Sequence, residues 1–459
     1  MSDVESKAEK IIKMCEELGA KEAEALLYAL NDRVVRFSKN VIQQHAHYHE
    51  EGVYLRLVNK NNRHITVFLQ PVSKEQMKTI LSKVLEKNAD TSRAGHSNIE
   101  QPSFRYIDRT DEVEDDEYTE KVYQVVNAGK TVSRKVSDVT GAIFSRVSQI
   151  VFHNTAGNFL QHRYTGSSCV CVSIAEDYGS TGVGFSSQNS RSIKEILFDN
   201  IAEEASRDAV SSLNPQKLEL GSYDTIFQSD AAGDIIGSFI QLGFSVRRWE
   251  DYVEVGSVCG PEILTVKDDP LNRETLIPLP FDSEGTPTKP LTLVDRGVVK
   301  NKCFDKKLAL QKNTVSTGHS PFTHDITYSS KFFVGWPYYP TNQFVSPGSG
   351  DSQSLIENER RAVLVKRLMY AGLPMGVHAT EQHRDVMEAY TMGTWLVKDG
   401  EVEHSLHSLR ISESLSKMIK SVKEVGGVNT IKRLGCLNTP WIVVSNVTYT
   451  EEADLSFRV

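Results

Sequence analysis

A chain of 459 residues is too long for one ordinary hydrophobic core, so two or three domains are expected. Its formal net charge of -8 gives no overall positive field to hold nucleic acid. No apolar stretch approaches the roughly 20 residues that span a bilayer, and the start, MSDVESKAEK, lacks the apolar core of a signal peptide. We therefore expect a cytoplasmic protein with no membrane or nucleic-acid partner.

The first segment, residues 1–90, is predicted to be a helix-sheet-helix domain. Apolar residues at helical spacing predict helices over residues 4–18 and 73–87. Between them, short β-like runs are separated by turn signals such as Asn31-Asp32. This order indicates an antiparallel sheet flanked by two helices.

The second segment, residues 91–220, is predicted to be a polar linker followed by a middle α+β domain. Helices are expected near residues 118–136 and 192–212, with strands between them. Strand alternation sends Cys169 and Cys171 to one face, where cysteines usually serve as small core residues.

The third segment, residues 221–459, is predicted to be a β-rich domain. It opens with the helix SDAAGDIIGSFIQLGF, for which Ser229 is the candidate N-cap, and many short β-like runs follow. Two more helices are expected over residues 355–369 and 412–425. The fold class is therefore α+β: an N-terminal α/β domain with antiparallel sheets flanked by helices, and a C-terminal β-rich domain.

The stretch FDSEGTPTKPLTLVD, which begins at Phe281, carries two acidic residues close together. A calcium loop of the EF-hand type needs oxygen ligands at alternate positions and a final bidentate Glu, and Pro287 and Pro290 break that pattern. The alternative is a tight turn closed by Gly285 and followed by a strand, which we expect here.

Several blocks of the chain occur in the order typical of one family. The first is RFSKNVIQQHAHYHEEGVYLRLV, and the last segment contributes FDSEGTPTKPLTLVDRGVVKNKCFDKKLALQKNTVSTGHS, TNQFVSPGSGDSQSLIE and GTWLVKDGEVEHSLHSLRISESLSKMIKSVKEVGG. With these blocks the chain resembles the TldD/PmbA (TldD/TldE) family of metallopeptidases, historically labelled modulators of DNA gyrase. The resemblance covers nearly the whole chain and implies a PmbA/TldD-like fold whose subunits pair around a cavity.

The TldD branch of that family carries HExxxH on a helix and a later Cys. Two imidazoles and a thiolate hold zinc, and the Glu accepts the proton of the attacking water. When the helix after Gln228 is laid on that motif, the matching positions are Gly237, Ser238 and Leu242, none of which binds zinc or accepts a proton. The resemblance therefore places the chain closer to the TldE (PmbA) branch, which lacks HExxxH.

The later Cys of the motif also has no clear counterpart. Cys436 lies only four residues before Pro440, closer than the ligand Cys of the family lies to its Pro, and the matching place is nearer Gly426 and Gly427. The resemblance then implies no catalytic residue and no metal in this chain, and zinc in a TldD-type partner of a heterodimer that degrades peptides and unfolded proteins.

Two alternatives remain open. The first is a homodimer that binds peptides or another ligand without peptidase activity. The second is a metallopeptidase with a relocated metal site at His378, Glu381 and His383. Side chains five residues apart point to opposite faces of a strand and are separated by about 140° on a regular helix, so only a loop or an irregular helix would bring the imidazoles of His378 and His383 together.

Overall fold

The structure is a computed structural model that describes most of the chain. The described residues are 3–70, 72–86, 113–244, 252–272, 274–320, 342–372, 385–430, 432–434 and 437–453. No helix within these ranges is long and apolar enough to cross a bilayer.

The first segment has the predicted order of helix, sheet and helix. Its elements are α1 (Asp3–Glu17), β1 (Glu22–Ser38), β2 (Val41–Val58), β3 (His64–Leu69) and α2 (Lys74–Leu85). The capping box at Ser73 fixes the start of α2: its hydroxyl accepts a hydrogen bond from the backbone N–H of Gln76, whose side chain binds back to the cap.

The middle segment adds two longer helices and three strands. They are α3 (Asp115–Val132), β4 (Val136–Asn154), β5 (Phe159–Asp177), β6 (Ser180–Ser190) and α4 (Phe198–Ser211). Helix α3 begins three residues before the predicted start, because the acidic run supplies its first turn, where carboxylates are favourable at the positive end of the helix dipole.

One six-stranded sheet joins these two segments. Its order is β3-β2-β1-β4-β5-β6, and β1 pairs antiparallel with β4 from Glu24↔Asn154 to Phe37↔Gly141. Helices α1 and α2 cover one half of a face of this sheet, and α3 and α4 cover the other half. Cys169 and Cys171 lie fully buried beneath α3 and α4, as predicted. The boundary near residue 90 stays a prediction, since the sheet is shared across it.

The last segment contains many short elements around three longer strands and one long helix. In chain order they are β7 (Gly221–Phe227), α5 (Ser229–Phe244), β8 (Val266–Asp268), β9 (Leu291–Asp295), β10 (Val298–Val299), α6 (Lys306–Gln311), β11 (Gln343–Val345), α7 (Ser352–Glu357), β12 (Arg361–Gly372), β13 (Val386–Lys398), β14 (Glu401–Ser405), β15 (Ser408–Ser414), α8 (Leu415–Lys420), β16 (Val422–Val425), β17 (Lys432–Leu434), β18 (Leu437–Thr439) and β19 (Ile442–Ala453).

Five of these strands close a ring. Strand β12 pairs with β7 and β13, β7 with β19, β19 with β15, and β15 with β13. Apolar residues of α5, including Ile235, Ile236 and Phe239, belong to the same core as the inner residues of these strands. A second sheet has the order β10-β9-β8-β11-β18-β17.

Two predicted helices of this segment are wrong. Residues 355–369 form the one-and-a-half-turn helix α7 and then strand β12, and residues 412–425 form the end of β15, α8 and β16. In β12 the run from Ala362 to Val365 is buried, because the strand lies between two neighbours in the ring. A short apolar run of this kind fits a buried strand as well as a helix, and tertiary pairing decides between them.

Buried polar residues join the six-stranded sheet to the last segment, and we call this contact the interdomain junction (Glu24, Arg56, Ser283, Glu284 and Lys306). Arg56 donates hydrogen bonds to the carbonyl oxygen (2.6 Å) and the hydroxyl (2.9 Å) of Ser283 and lies 3.4 Å from Glu24. Lys306 lies 3.8 Å from Glu24 and donates to the carbonyl oxygen of Glu284 at 2.9 Å. The buried carboxylate of Glu24 therefore has two positive charges nearby, one from the sheet and one from the last segment.

The junction includes the turn that was predicted at Gly285. The Gly285 N–H donates to the carbonyl oxygen of Asp282 at 2.9 Å, and Gly285 has a positive φ of 72°. The Asp282 carboxylate accepts from the backbone N–H groups of Glu284, Thr286 and Ser320. Burial, and next the Glu284 carboxylate, raise the pKa of Asp282 to about 7. Strand β9 follows, so the prediction of a turn and strand is confirmed.

The first prediction concerns Arg56. We expect Arg56→Ala to lower the free energy of unfolding by about 3 kcal/mol, because Glu24, which is 1% exposed, would lose its nearest positive charge. Urea unfolding, monitored by circular dichroism, measures the decrease in the free energy of unfolding. Arg207→Ala is the control: Arg207 is exposed and pairs with Glu203 on the surface of α4, and such pairs contribute less than about 1 kcal/mol. Equal losses in the two variants would contradict the structural role of the junction.

Candidate functional site

One side of helix α5 is polar, although the rest of the helix is part of the core. Asp230, Asp234, Gly237, Ser238 and Gln241 fall within about 100° of the helix circumference, given 100° per residue. The last four of these residues are partly exposed, whereas Ile235, Ile236 and Ile240 on the opposite side are fully buried. We call this stripe the α5 polar face.

Two carboxyl groups and one guanidinium interact at the first half of the α5 polar face. Burial, and next the charge of Asp230 one turn earlier, raise the pKa of Asp234 to about 7, while Arg367 of β12 opposes the shift. The guanidinium of Arg367 also lies 4.0 Å from the ring centre of Phe185 on β6. The side chain of Asp234 can therefore donate or accept a proton near neutral pH, beside a permanent positive charge.

The three positions that match HExxxH lie on the second half of α5. Gly237 and Ser238 belong to the α5 polar face, and a Cβ at Gly237 would touch Leu437 of β18 at 3.8 Å. Leu242 is 2% exposed and belongs to the hydrophobic core. The helix is therefore present, but Gly237 has no side chain, Ser238 has only a hydroxyl, and Leu242 has an apolar side chain. They can take part in packing and weak hydrogen bonding, but none is a zinc ligand.

The place predicted to match the ligand Cys, near Gly426 and Gly427, is filled by backbone. The N–H of Gly348 donates to the carbonyl oxygen of Gly426 at 2.8 Å, and the N–H of Gly427 donates to the carbonyl oxygen of Gly350. A Cβ at Gly348 would overlap the carbonyl oxygen of Val425. Two glycine-containing loops therefore run in direct contact here. Cys436, His378, Glu381 and His383 lie outside the described residues, so the relocated site stays a prediction.

Sequence reasoning missed the roles of Asp234 and Arg367. The available signal was the spacing of Asp230 and Asp234, which puts two acidic residues one turn apart in an otherwise apolar helix. The position of Arg367 was hidden, because its strand was predicted as a helix.

Comparison with protein families identifies the chain. The model described as the PmbA/TldA metallopeptidase central domain matches residues 104–213, and the model of the C-terminal domain matches residues 220–451, about three quarters of the chain together. The chain belongs to the PmbA/TldD metallopeptidase family. The resemblance inferred from the sequence blocks is confirmed, and so is the α+β fold.

Relatives of this chain carry the names of both branches of the family. The "Metalloprotease PmbA homolog" of Buchnera aphidicola subsp. Baizongia pistaciae is 25% identical over 321 residues, which cover 68% of this chain and 66% of the relative. The aligned part thus spans slightly less than two thirds of that relative. The "Metalloprotease TldD homolog" of Buchnera aphidicola subsp. Acyrthosiphon pisum is 21% identical over 302 residues, covering 61% of this chain and 62% of the relative.

Solved structures show the same fold over nearly the whole length. TldE from Thermococcus kodakarensis has a TM-score of 0.80 and 18% identity, covering 96% of this chain and 99% of that one. A protein from Thermotoga maritima described as a candidate modulator of a DNA gyrase has a TM-score of 0.81 and 17% identity, covering 97% and 100%. At these identities the likeness establishes the fold.

The second prediction concerns the pH dependence of Asp234. A carboxyl group whose pKa is raised on folding stabilises the folded state while it is protonated, and this stability is lost as the pH rises from about 4 through about 7. We expect Asp234→Asn to raise the midpoint of thermal unfolding at pH 8 relative to the native chain, and to raise it less or not at all at pH 5.

Differential scanning fluorimetry at the two pH values measures this difference. Asp399→Asn is the control, since Asp399 is exposed and its positive φ of 48° suits Asn as well as Asp. A gain from Asp234→Asn that is the same at pH 5 and pH 8 would show that Asp234 does not titrate in this range.

Proposed function

We propose that this chain is a TldE/PmbA-like subunit, without catalytic residues of its own, of a cytoplasmic zinc metallopeptidase that degrades or processes peptides and unfolded proteins. It completes the cavity in which the peptide binds and supports a TldD-type partner, which carries the zinc. The single observation that carries this proposal is the chemistry of helix α5, which has the family position but offers Gly237, Ser238 and Leu242 where two imidazoles and a carboxylate are needed.

The α5 polar face supports a role in holding the peptide. Asp234 of this face can accept from an N–H or an ammonium group of a peptide, and the neighbouring Arg367 of β12 can pair with a peptide carboxylate. The burial of one side of α5 in the core keeps these groups fixed, which lowers the entropy lost when a peptide binds.

The names of the relatives support the family but not the branch. Both PmbA and TldD homologues align with this chain at similar identity. The assignment to the TldE branch therefore depends on the missing ligands rather than on overall similarity. The alternative is a homodimer that binds peptides without a peptidase partner. In both cases the α5 polar face would bind the peptide, but in the homodimer the second subunit is another copy of this chain.

The third prediction tests the subunit role. The purified chain alone should not cleave an unfolded peptide, and addition of a TldD-type subunit with an intact HExxxH should give cleavage that a metal chelator abolishes. Size-exclusion chromatography should show a complex that contains both chains. Chelator-sensitive cleavage by the chain alone would refute the proposal. A native complex that contains only this chain would favour the homodimer.

The fourth prediction tests the contribution of the α5 polar face. In the two-chain complex, Arg367→Gln should raise KM for an unfolded peptide by about tenfold with little change in kcat, because a buried charged hydrogen bond to the peptide contributes about 1.5–3 kcal/mol. Arg207→Gln on the exposed surface of α4 is the matched control. If Arg367→Gln leaves both KM and kcat unchanged, the α5 polar face does not contact the peptide.

A further inference from the structure

Strand β2 carries a run of histidines that the proposed function does not use. The sequence HAHYH places His45, His47 and His49 at alternate positions, so all three point to the same face of the sheet. The cross-strand partners of His45 and His47 are Val35 and Arg33, and Val35 packs under α3 and α4. The histidines therefore lie on the face that carries the helices.

The first residue of α3 completes a cluster with two of these histidines. The carboxylate oxygen Oδ1 of Asp115 lies 3.0 Å from Nε2 of His47 and 4.0 Å from Nε2 of His45. The two imidazole rings are 5.6 Å apart. Within the part of the chain that the structure describes, this is the one group of three His, Cys, Asp or Glu side chains whose ligand atoms all lie within 4.8 Å of one another.

We propose that His45, His47 and Asp115 form a zinc site that clamps the start of α3 to strand β2. Zinc bonds of about 2.0–2.2 Å place tetrahedral ligands about 3.4 Å apart, so small side-chain rotations bring the three donors together. Two imidazoles and a carboxylate favour zinc over magnesium or calcium, which prefer oxygen ligands alone. The side chains of His47 and Asp115 are about half exposed, and water can fill the fourth position.

Arg33 also contacts Asp115 and has to be compatible with a bound ion. Its Nε lies 3.6 Å from Oδ1 of Asp115, while its guanidinium donates to the carbonyl oxygen of Val113 and lies 5.7 Å from the ring centre of Tyr118. A carboxylate has two oxygens and about four lone-pair positions. Arg33 and both histidines approach the same oxygen, Oδ1. Zinc binding at Oδ1 therefore requires Arg33 to turn toward Oδ2, which has lone pairs free to accept from it.

His49 has the same orientation but different neighbours. Its Nδ1 lies 2.8 Å from Oδ1 of Asn31, and its Nε2 lies 3.2 Å from Oε1 of Glu51. Glu51 also receives a hydrogen bond from Lys7 of α1 at 3.0 Å. His49 therefore belongs to a separate hydrogen-bonded group on the same strand, and it provides a matched control.

The site is separate from the α5 polar face, and its role is to hold structure together. Asp115 follows the polar stretch that links the first two segments in sequence, so an ion bound to Asp115, His45 and His47 ties the start of the middle segment to the first sheet. Zinc that binds the folded state also stabilises it by mass action. Cleavage by the two-chain complex does not depend on this zinc. Failure of the zinc site would therefore leave the proposed subunit role intact, and failure of the subunit role would leave the zinc site intact.

The test uses the untagged full-length chain, stripped of metal, in a background of His378→Ala, His383→Ala and Cys436→Ala that removes other candidate ligands. Titration with zinc against a chromophoric chelator should give one site per chain. The double variant H45A/H47A should weaken binding by at least about tenfold, as should D115N, whereas H49A should leave it unchanged. X-ray absorption of the zinc-loaded chain should show two imidazole ligands.

Three results of the zinc titrations would overturn the proposal. They are a background chain that binds no zinc, equal affinity in the background and H45A/H47A chains, and a loss in H49A as large as that in H45A/H47A. Circular dichroism of each metal-free variant checks that the chain is folded. For D115N, which keeps the size of the side chain, a zinc-dependent rise in the midpoint of thermal unfolding as large as in the background chain would equally count against the site.

Discussion

The interdomain junction is the constraint on which the arrangement of the chain depends. Glu24 and Arg56 belong to the six-stranded sheet, and Ser283, Glu284 and Lys306 belong to the last segment. Charged groups at this depth are tolerated only when they are paired and hydrogen-bonded. Apolar residues reinforce the contact, since Leu26 and Tyr28 of β1 pack with Leu279 and Phe281. The turn at Gly285 thus does more than reverse the chain: the carbonyl oxygen and hydroxyl of Ser283, within this turn, accept the hydrogen bonds that Arg56 of the sheet donates.

Strand β12 forms a second contact between the last segment and the middle segment. Lys366 of β12 lies 2.8 Å from Glu204 of α4 and also pairs with Asp208. The guanidinium of the next residue, Arg367, lies over the ring of Phe185 of β6. Its positive charge also lowers the pKa of Asp234 on α5. Lys366 of β12 therefore pairs with the middle segment, and Arg367 interacts both with the middle segment and with helix α5. This coupling explains how a face with no zinc ligand can still have a defined, preorganised set of polar groups.

The family relationship is visible in the whole fold, whereas the proposed loss of catalytic residues concerns only a few side chains of helix α5. The overall fold is shared with TldE from Thermococcus kodakarensis at a TM-score of 0.80, so the scaffold of the family is retained at low identity. The chemistry of the peptidase centre depends on a few side chains of one helix, and function resides in such sites rather than in the fold. At the three positions predicted to match the family motif, Gly237 and Ser238 lie partly exposed and Leu242 joins the core, so the residues present there are compatible with the family fold.

The sequence by itself determined the family, the α+β class, the helices with clear apolar stripes in the first two segments, and the turn at Gly285. These features depend on local residue order, which is fully contained in the sequence. Tertiary structure alone decided that residues 361–372 form a strand, because its neighbours β7 and β13 come from distant parts of the chain. It also decided the raised pKa of Asp234 and the meeting of His45 and His47 with Asp115, since burial and distance between remote residues are set only when the chain has folded.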